Sequence, residues 1–226
     1  MRSLFWGIVC LFVCFNTKAQ QQQQFPDSLD KKKLILAIST QTAIYAAGLS
    51  YLSFVWYKDQ EMVPIHFYND NAGYLQVDKC GHALTAYKES YIAYYSLRNA
   101  GVSRRKSLIY GGAVGFVMQA PIEILDGIYP GWGFSWGDMI ANAAGSALFV
   151  GQELLWQEQI VKLKMSYQRS SYARAVPELL GNNQLESFLY DYNGHTYWLS
   201  FPVNKIVHHE RIPKWLNLAI GYSANG

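Results

Sequence analysis

LILAISTQTAIYAAGLSYLSFVW, Leu34 to Trp56, is a run of twenty-three residues without a charge, long enough for a membrane span of about twenty residues. Ser39, Thr40, Gln41, Thr42, Ser50 and Ser53 dilute its hydrophobicity, so the same stretch also reads as a buried helix of a packed bundle. The composition leans toward the membrane. Half of the 226 residues are hydrophobic, 15% are aromatic and only 15% are charged, a balance unlike that of an ordinary soluble domain.

Upstream, Arg2, the apolar Leu4 to Phe15 and the small-residue site at Thr17-Lys18-Ala19 read as a secretory signal peptide over residues 1–19. Cys10 and Cys14 each follow a valine, where a lipobox wants a small residue, which disfavours lipid attachment there. Residues 20–33, with Gln20 to Gln24, Pro26 and Lys31 to Lys33, read as a flexible leader. Cleavage leaves Cys80 as the sole cysteine, so packing rather than disulfides must hold the fold. Removing Arg2 and Lys18 leaves seventeen basic against sixteen acidic residues. That near balance argues against a nucleic-acid partner, because no strongly basic surface exists to neutralise phosphates.

Downstream, Asp78 to Arg98 has helical spacing, and Ser107 to Ile122 is an apolar segment with Gly111 and Gly115 four apart, the spacing that lets helix backbones approach closely. Ser135-Trp136-Gly137-Asp138 fits a helix capping box, and the helix it opens is expected to run to about Met165. The prediction is a mainly α protein: a four-helix, membrane-associated bundle over residues 34–166. An aromatic β-containing region follows over residues 167–226, with a small hairpin of Phe188–Tyr192 and Thr196–Phe201 about Asn193-Gly194. Trp215 to Tyr222 reads as a further strand whose partner lies upstream, in another chain or in a part not present, and its stop at Asn225-Gly226 looks abrupt.

Basic clusters at Lys31–Lys33, Arg104–Lys106 and Lys162 with Lys164 would share one side of an up-down bundle. The positive-inside tendency would put that side in the cytoplasm. A cleaved signal peptide would deliver the start of the first helix to the periplasm. Either the first segment stays uncleaved or the bundle does not span the inner membrane.

Three helical segments carry polar residues at three- and four-residue spacing: Asp78 with His82; Gln119, Glu123 and Asp126; Asp138 with Asn142. Such spacing puts each group on one helix face. Asp78, Lys79, His82, Glu123, Asp126, Ser135, Asp138 and Asn142 then form a polar network with two readings. Buried polar groups on facing helices can simply satisfy one another, and a salt bridge of Lys79 with Asp78 would serve that end. Alternatively His82, Glu123 and Asp138 are catalytic, as base, acids or ligands of a divalent metal. His66 and His195 show no partner at ligand spacing, His208-His209 beside Glu210 reads as a surface pair because adjacent histidines seldom chelate one ion without further ligands, and Ser135 is better explained as a helix cap than as a nucleophile.

The same residues carry a resemblance. Asp78-Lys79-Cys80-Gly81-His82, Glu123-Ile124-Leu125-Asp126-Gly127 and Gly133-Phe134-Ser135-Trp136-Gly137-Asp138, followed by Asn142 and Gly145, resemble a YfiM-like family of predicted periplasmic lipoproteins. More loosely they are similar to VanZ-like membrane proteins. The resemblance covers about Asp78 to Leu148 and implies location rather than a reaction. The expectation is an uncharacterised exported cell-envelope protein, membrane-associated or periplasmic, with a structural or binding role. Membrane lipid and an envelope protein are its expected partners. The rival is a membrane-associated hydrolase or transferase acting on an envelope lipid or cell-wall precursor through the His/carboxylate cluster. The sequence identifies no metal, cofactor or substrate.

Overall fold

The computed structural model describes residues 24–207 and 211–225. The expected signal peptide, Cys10, Cys14 and the His208-His209 pair lie outside these residues. Helix α1, Lys31–Tyr57, begins three residues earlier than the charge-free run, because the Asp30 carboxylate accepts hydrogen bonds from the backbone N–H groups of Lys32 and Lys33. That cap satisfies two otherwise orphaned donors, and it turns the end of the expected leader into helix.

Three further long helices follow: α2 (Val77–Asn99), α3 (Arg104–Gly127) and α4 (Trp136–Leu155). Ser135 caps α4 by accepting from the Asp138 N–H, as its capping sequence predicts. Helix α3 continues past Pro121 to Gly127. Proline removes one i to i−4 bond without ending the helix here, so Glu123 and Asp126 both project from regular helix.

Helices α2, α3 and α4 pack together around Tyr87, Tyr94 and Phe149. Their closeness depends on small residues. A methyl group at Gly115 would overlap the Ala86 carbonyl of α2, and one at Gly145 would overlap the Ala83 carbonyl. Helix α1 does not complete a four-helix core: of its residues only Tyr57 is buried, and it leans on the other three. Tyr45 donates to the Met118 carbonyl at 2.8 Å, and the Tyr57 hydroxyl donates to Asp126.

Beyond α4 the structure departs from the expected long fourth helix. The chain leaves the helix after Leu155, with Gln157 in a left-handed conformation (φ 54°). The buried Gln152 amide then clasps the next segment, accepting from the Val161 N–H at 2.6 Å and donating to its carbonyl at 2.9 Å. Residues Lys162–Tyr167 become strand β1. Short helices α5 (Ser171–Ala175), α6 (Pro177–Leu180) and α7 (Gln184–Tyr190) lead to β2 (His195–Pro202), and α8 (Val203–Val207) leads to β3 (Asn217–Tyr222).

These strands form one antiparallel sheet in the order β1-β2-β3. Lys164 stands opposite Trp198, and Leu199 opposite Ile220. The expected hairpin about Asn193-Gly194 is therefore corrected. Phe188 to Tyr190 is helical, because Asn183 caps α7 through the N–H groups of Leu185 and Glu186, and residues Tyr192–Gly194 form a 3-10 turn. The upstream partner expected for the last strand is β2. The basic pair Lys162 and Lys164 accordingly lies on β1, not at a helix end. The other two basic clusters do share an end, where the Asp30 N–H donates to the Ala100 carbonyl at 2.9 Å.

The glycine contacts set a test. Gly115→Ala and Gly145→Ala should each destabilise the chain by about 1–3 kcal/mol through overpacking. Gly151→Ala, in open space on α4, should stabilise it by up to ~1 kcal/mol through helix propensity. Thermal melting of the three variants checks both signs.

Candidate functional site

The polar residues of three helices converge at the end of the bundle away from the basic clusters. The first turns of α2 supply Asp78 and His82, the end of α3 supplies Glu123 and Asp126, and the start of α4 supplies Asp138 and Asn142. The connector of residues 58–72 folds back over this end. His66 and Phe134 exchange backbone hydrogen bonds with their neighbours across the α3–α4 loop, the Phe134 N–H donating to the His66 carbonyl at 3.0 Å and the Tyr68 N–H to the Phe134 carbonyl at 3.1 Å. This pairing brings Asp70 against the start of α4.

His82 stands at the centre. Its Nδ1 is 3.1 Å from Asn142 Oδ1 and 3.5 Å from Glu123 Oε1. Its Nε2 lies 3.9 Å from Asp78 Oδ1 and 3.8 Å from Asp138 Oδ1. With the Asn142 oxygen facing it, Nδ1 is the donor in the neutral ring, and the Nε2 lone pair is left toward the two aspartates. Asp78, His82 and Asp138 each offer a ligand atom, all within 4.8 Å of one another. An imidazole with two carboxylates suits a divalent cation.

Lys79 binds the other side of the cluster. Its Nζ is 2.6 Å from Asp70 Oδ2 and 2.7 Å from Asp138 Oδ1, and further, 3.5 Å, from Asp78 Oδ2. The expected Lys79–Asp78 pair is thus the weakest of three. Ser135 Oγ donates to Asp70 Oδ1 at 2.7 Å while capping α4, and the Tyr192 hydroxyl donates to Asp78 Oδ1 at 3.0 Å.

Pairing does not reach every group. Both Glu123 carboxylate oxygens and Asn142 Nδ2 are buried without hydrogen-bond geometry to any partner among the described residues. Burial, then the charges of Asp138 and Asp126, push Glu123 up to about 9 against the opposing Ser135 backbone N–H. Burial also raises Asp138 and Asp126, each to about 6, although His82 pulls both down. Burial works to raise Asp70 too, but hydrogen bonds from Lys79 and Ser135 outweigh it and hold that carboxyl below its usual range.

Asp70, Asp78, His82, Asp126 and Asp138 form the floor of a cavity of about 660 Å³, within the range of small-molecule sites. Its walls are largely apolar: Leu49, Leu52 and Trp56 of α1, Trp132, and Phe188, Tyr190 and Tyr197 of the C-terminal region. His195 also lines it, with Nε2 2.9 Å from the Phe188 carbonyl, but it does not join the cluster. His66 is tied to the Trp132 carbonyl at 2.9 Å.

The sequence pattern does not single out Asp70, Tyr57, Tyr192 or Glu89. The first three reach the site from other elements. Glu89 does lie on the α2 face of Asp78 and His82, seven residues beyond His82. It accepts from Gln119 Nε2 at 3.0 Å and is pushed up to about 7 by burial, which outweighs that bond. Its folded value lies above its ordinary one near 4.5, so the stability it contributes is complete below that pH and is lost as pH rises through about 7. Glu89→Gln should therefore leave Tm unchanged at pH 4 and raise it by roughly 2–4 °C at pH 8, about 1 kcal/mol. Melting curves across that range check it.

Residues 66–152 match the model of a family described as predicted periplasmic lipoprotein (DUF2279). No curated protein and no solved structure matches the chain. The matched stretch runs from the connector into α4 and contains Asp70, Asp78, Lys79, His82, Glu123, Asp126, Ser135, Asp138 and Asn142, while α1 and the sheet lie outside it. The chain is an exported protein of the cell envelope, periplasmic or membrane-associated.

Proposed function

We propose that this chain is a membrane-associated envelope protein that takes an amphiphilic lipid or cell-wall precursor into the cavity and acts on it as a hydrolase or transferase at the His82 centre. The observation that carries this reading is the opening of an apolar-walled cavity onto a floor of crowded acidic groups gathered about His82. A purely structural network would pair internally and leave no such space. Asp78, His82 and Asp138 would hold a divalent cation, which supplies a Lewis acid and an activated water. Asn142 fixes the ring of His82 by accepting from Nδ1, as partners of metal-bound histidines do. Asp126, held by Tyr57 on the cavity floor, is placed to take a proton.

Membrane association is supported by the distribution of polarity. Among the described residues the bundle buries Ser90, Gln119, Glu123, Asn142 and Glu153 while exposing Ile92, Ile109, Phe116, Val117 and Ile140. Polar groups inside and large apolar groups outside suit a lipid surround. Helices α1 and α3 are long and apolar enough to cross a membrane by length and composition. The looser likeness to VanZ-like membrane proteins points the same way.

A second reading has its own observation. Lys79, Asp70, Ser135 and Asp138 bond the connector to two helices, so the network also serves to fix the packing. Elemental analysis and calorimetric titration of the detergent-purified chain with Mn²⁺ or Zn²⁺ separate the two. The proposal expects one ion per chain, lost in His82→Ala and Asp138→Asn. Tyr192→Phe, which removes the hydroxyl orienting Asp78, should weaken affinity about tenfold. No ion in wild type, with all three variants merely less stable, would leave the structural role.

For the membrane, flotation with phospholipid vesicles should carry the wild-type chain upward. The double variant Ile35→Lys, Phe54→Lys, at exposed α1 positions, should reduce the floated fraction severalfold. An unchanged fraction would remove α1 from the membrane contact.

A further inference from the structure

A second space adjoins the cavity. A groove of about 360 Å³ runs between α1, α2 and α3, walled mainly by Ile38, Ile92, Leu97, Tyr110, Val114 and Met118. Ile44, Tyr45 and Glu89 line both the groove and the cavity, so the two meet at these residues. At the junction the Tyr45 hydroxyl is tied to the Met118 carbonyl, and Gln119 donates to Glu89. One end of the combined space is therefore acidic and polar, and the other is apolar.

We propose that the groove is the slot for the hydrocarbon chain of an amphiphile whose polar end lies in the His82 cavity. This rests on the function proposed above and narrows its substrate to a molecule with an alkyl tail.

Dimensions favour an alkyl chain over a peptide helix. From Glu89 to Leu97 the groove follows eight residues of α2, roughly 12 Å at the helical rise. A helix is about 10 Å across, whereas a single alkyl chain is a narrow strand that a groove of about 360 Å³ accommodates along that length. The position of Glu89 and Gln119 argues against an incidental lipid-facing crevice. A polar pair at the inner end of an apolar slot is costly next to hydrocarbon alone, whereas it suits the ester, hydroxyl or phosphate linkage where a tail joins its head. Helix α1 covers both spaces with one face, Ile38, Gln41, Tyr45 and Leu49 recurring at helical spacing.

The test is photolabelling of the full chain in lipid nanodiscs with a dodecanol that carries a diazirine at its chain end. Peptide mapping should place saturable labelling on the groove walls, competed by excess dodecanol and not by butanol. Val114→Trp, which fills the groove, should reduce labelling at least tenfold and leave cation binding at the cluster unchanged. Thr42→Trp, at a solvent-accessible α1 position that lines the groove, should do the same. Labelling that does not saturate, that spreads over the outward faces of α3 and α4, or that persists in both tryptophan variants would overturn the slot. Saturable groove labelling in a chain that binds no cation would instead overturn the catalytic reading and leave a chain-binding groove.

Discussion

The constraint on which the structure turns is an excess of buried and half-buried carboxyl groups. Asp70, Asp78, Glu123, Asp126 and Asp138 crowd the same end of the bundle as Lys79 and His82. Removing charges from water costs several kcal/mol each unless they are paired or neutralised. The chain answers in three ways. Lys79 bridges Asp70 and Asp138, Tyr57 and Tyr192 donate hydroxyls to Asp126 and Asp78, and Glu123 is raised until it keeps its proton near neutral pH. What is left is an acidic, aromatic-walled chamber.

Close helix packing makes that chamber precise. Because glycine at 115 and 145 lets α3 and α4 lie against the α2 backbone, the rows Asp78/His82, Glu123/Asp126 and Asp138/Asn142 face one another across a few ångströms. A wider bundle would leave the same residues too far apart to share a proton or an ion. The sheet and the short helices α5 to α7 then close the side of the site, bringing Tyr192, Tyr197 and Phe188 to the cavity wall.

Charge is also sorted along the bundle. Lys31 to Lys33 and Arg104 to Lys106 gather where α1 and α3 begin, and the carboxylates gather at the other end of α3 and at the beginnings of α2 and α4. Acidic residues in the first turns of α2 and α4 are favoured by the helix dipoles, as Asp78 and Asp138 illustrate. The apolar groove lies between these two ends, alongside the middle of the bundle, which gives the combined space its polarity.

The sequence by itself determined the four long helices, though not where the fourth ends, together with the cap at Ser135 and the spacing that puts Asp78 with His82, Glu123 with Asp126 and Asp138 with Asn142 on single helix faces. These are local properties, read from a period of 3.6 residues and from short-range caps. Only the tertiary structure decided which faces meet, that Asp70 joins the site through backbone pairing between two loops, that Glu89 marks the seam of two spaces, and that Lys162 to Tyr167 is a strand. That last segment alternates well enough to be a strand and is polar enough to be a helix end. Its fate is settled by Gln152 holding Val161 nine residues on and by β2, some thirty residues further along the chain, lying alongside, contacts that no local pattern encodes.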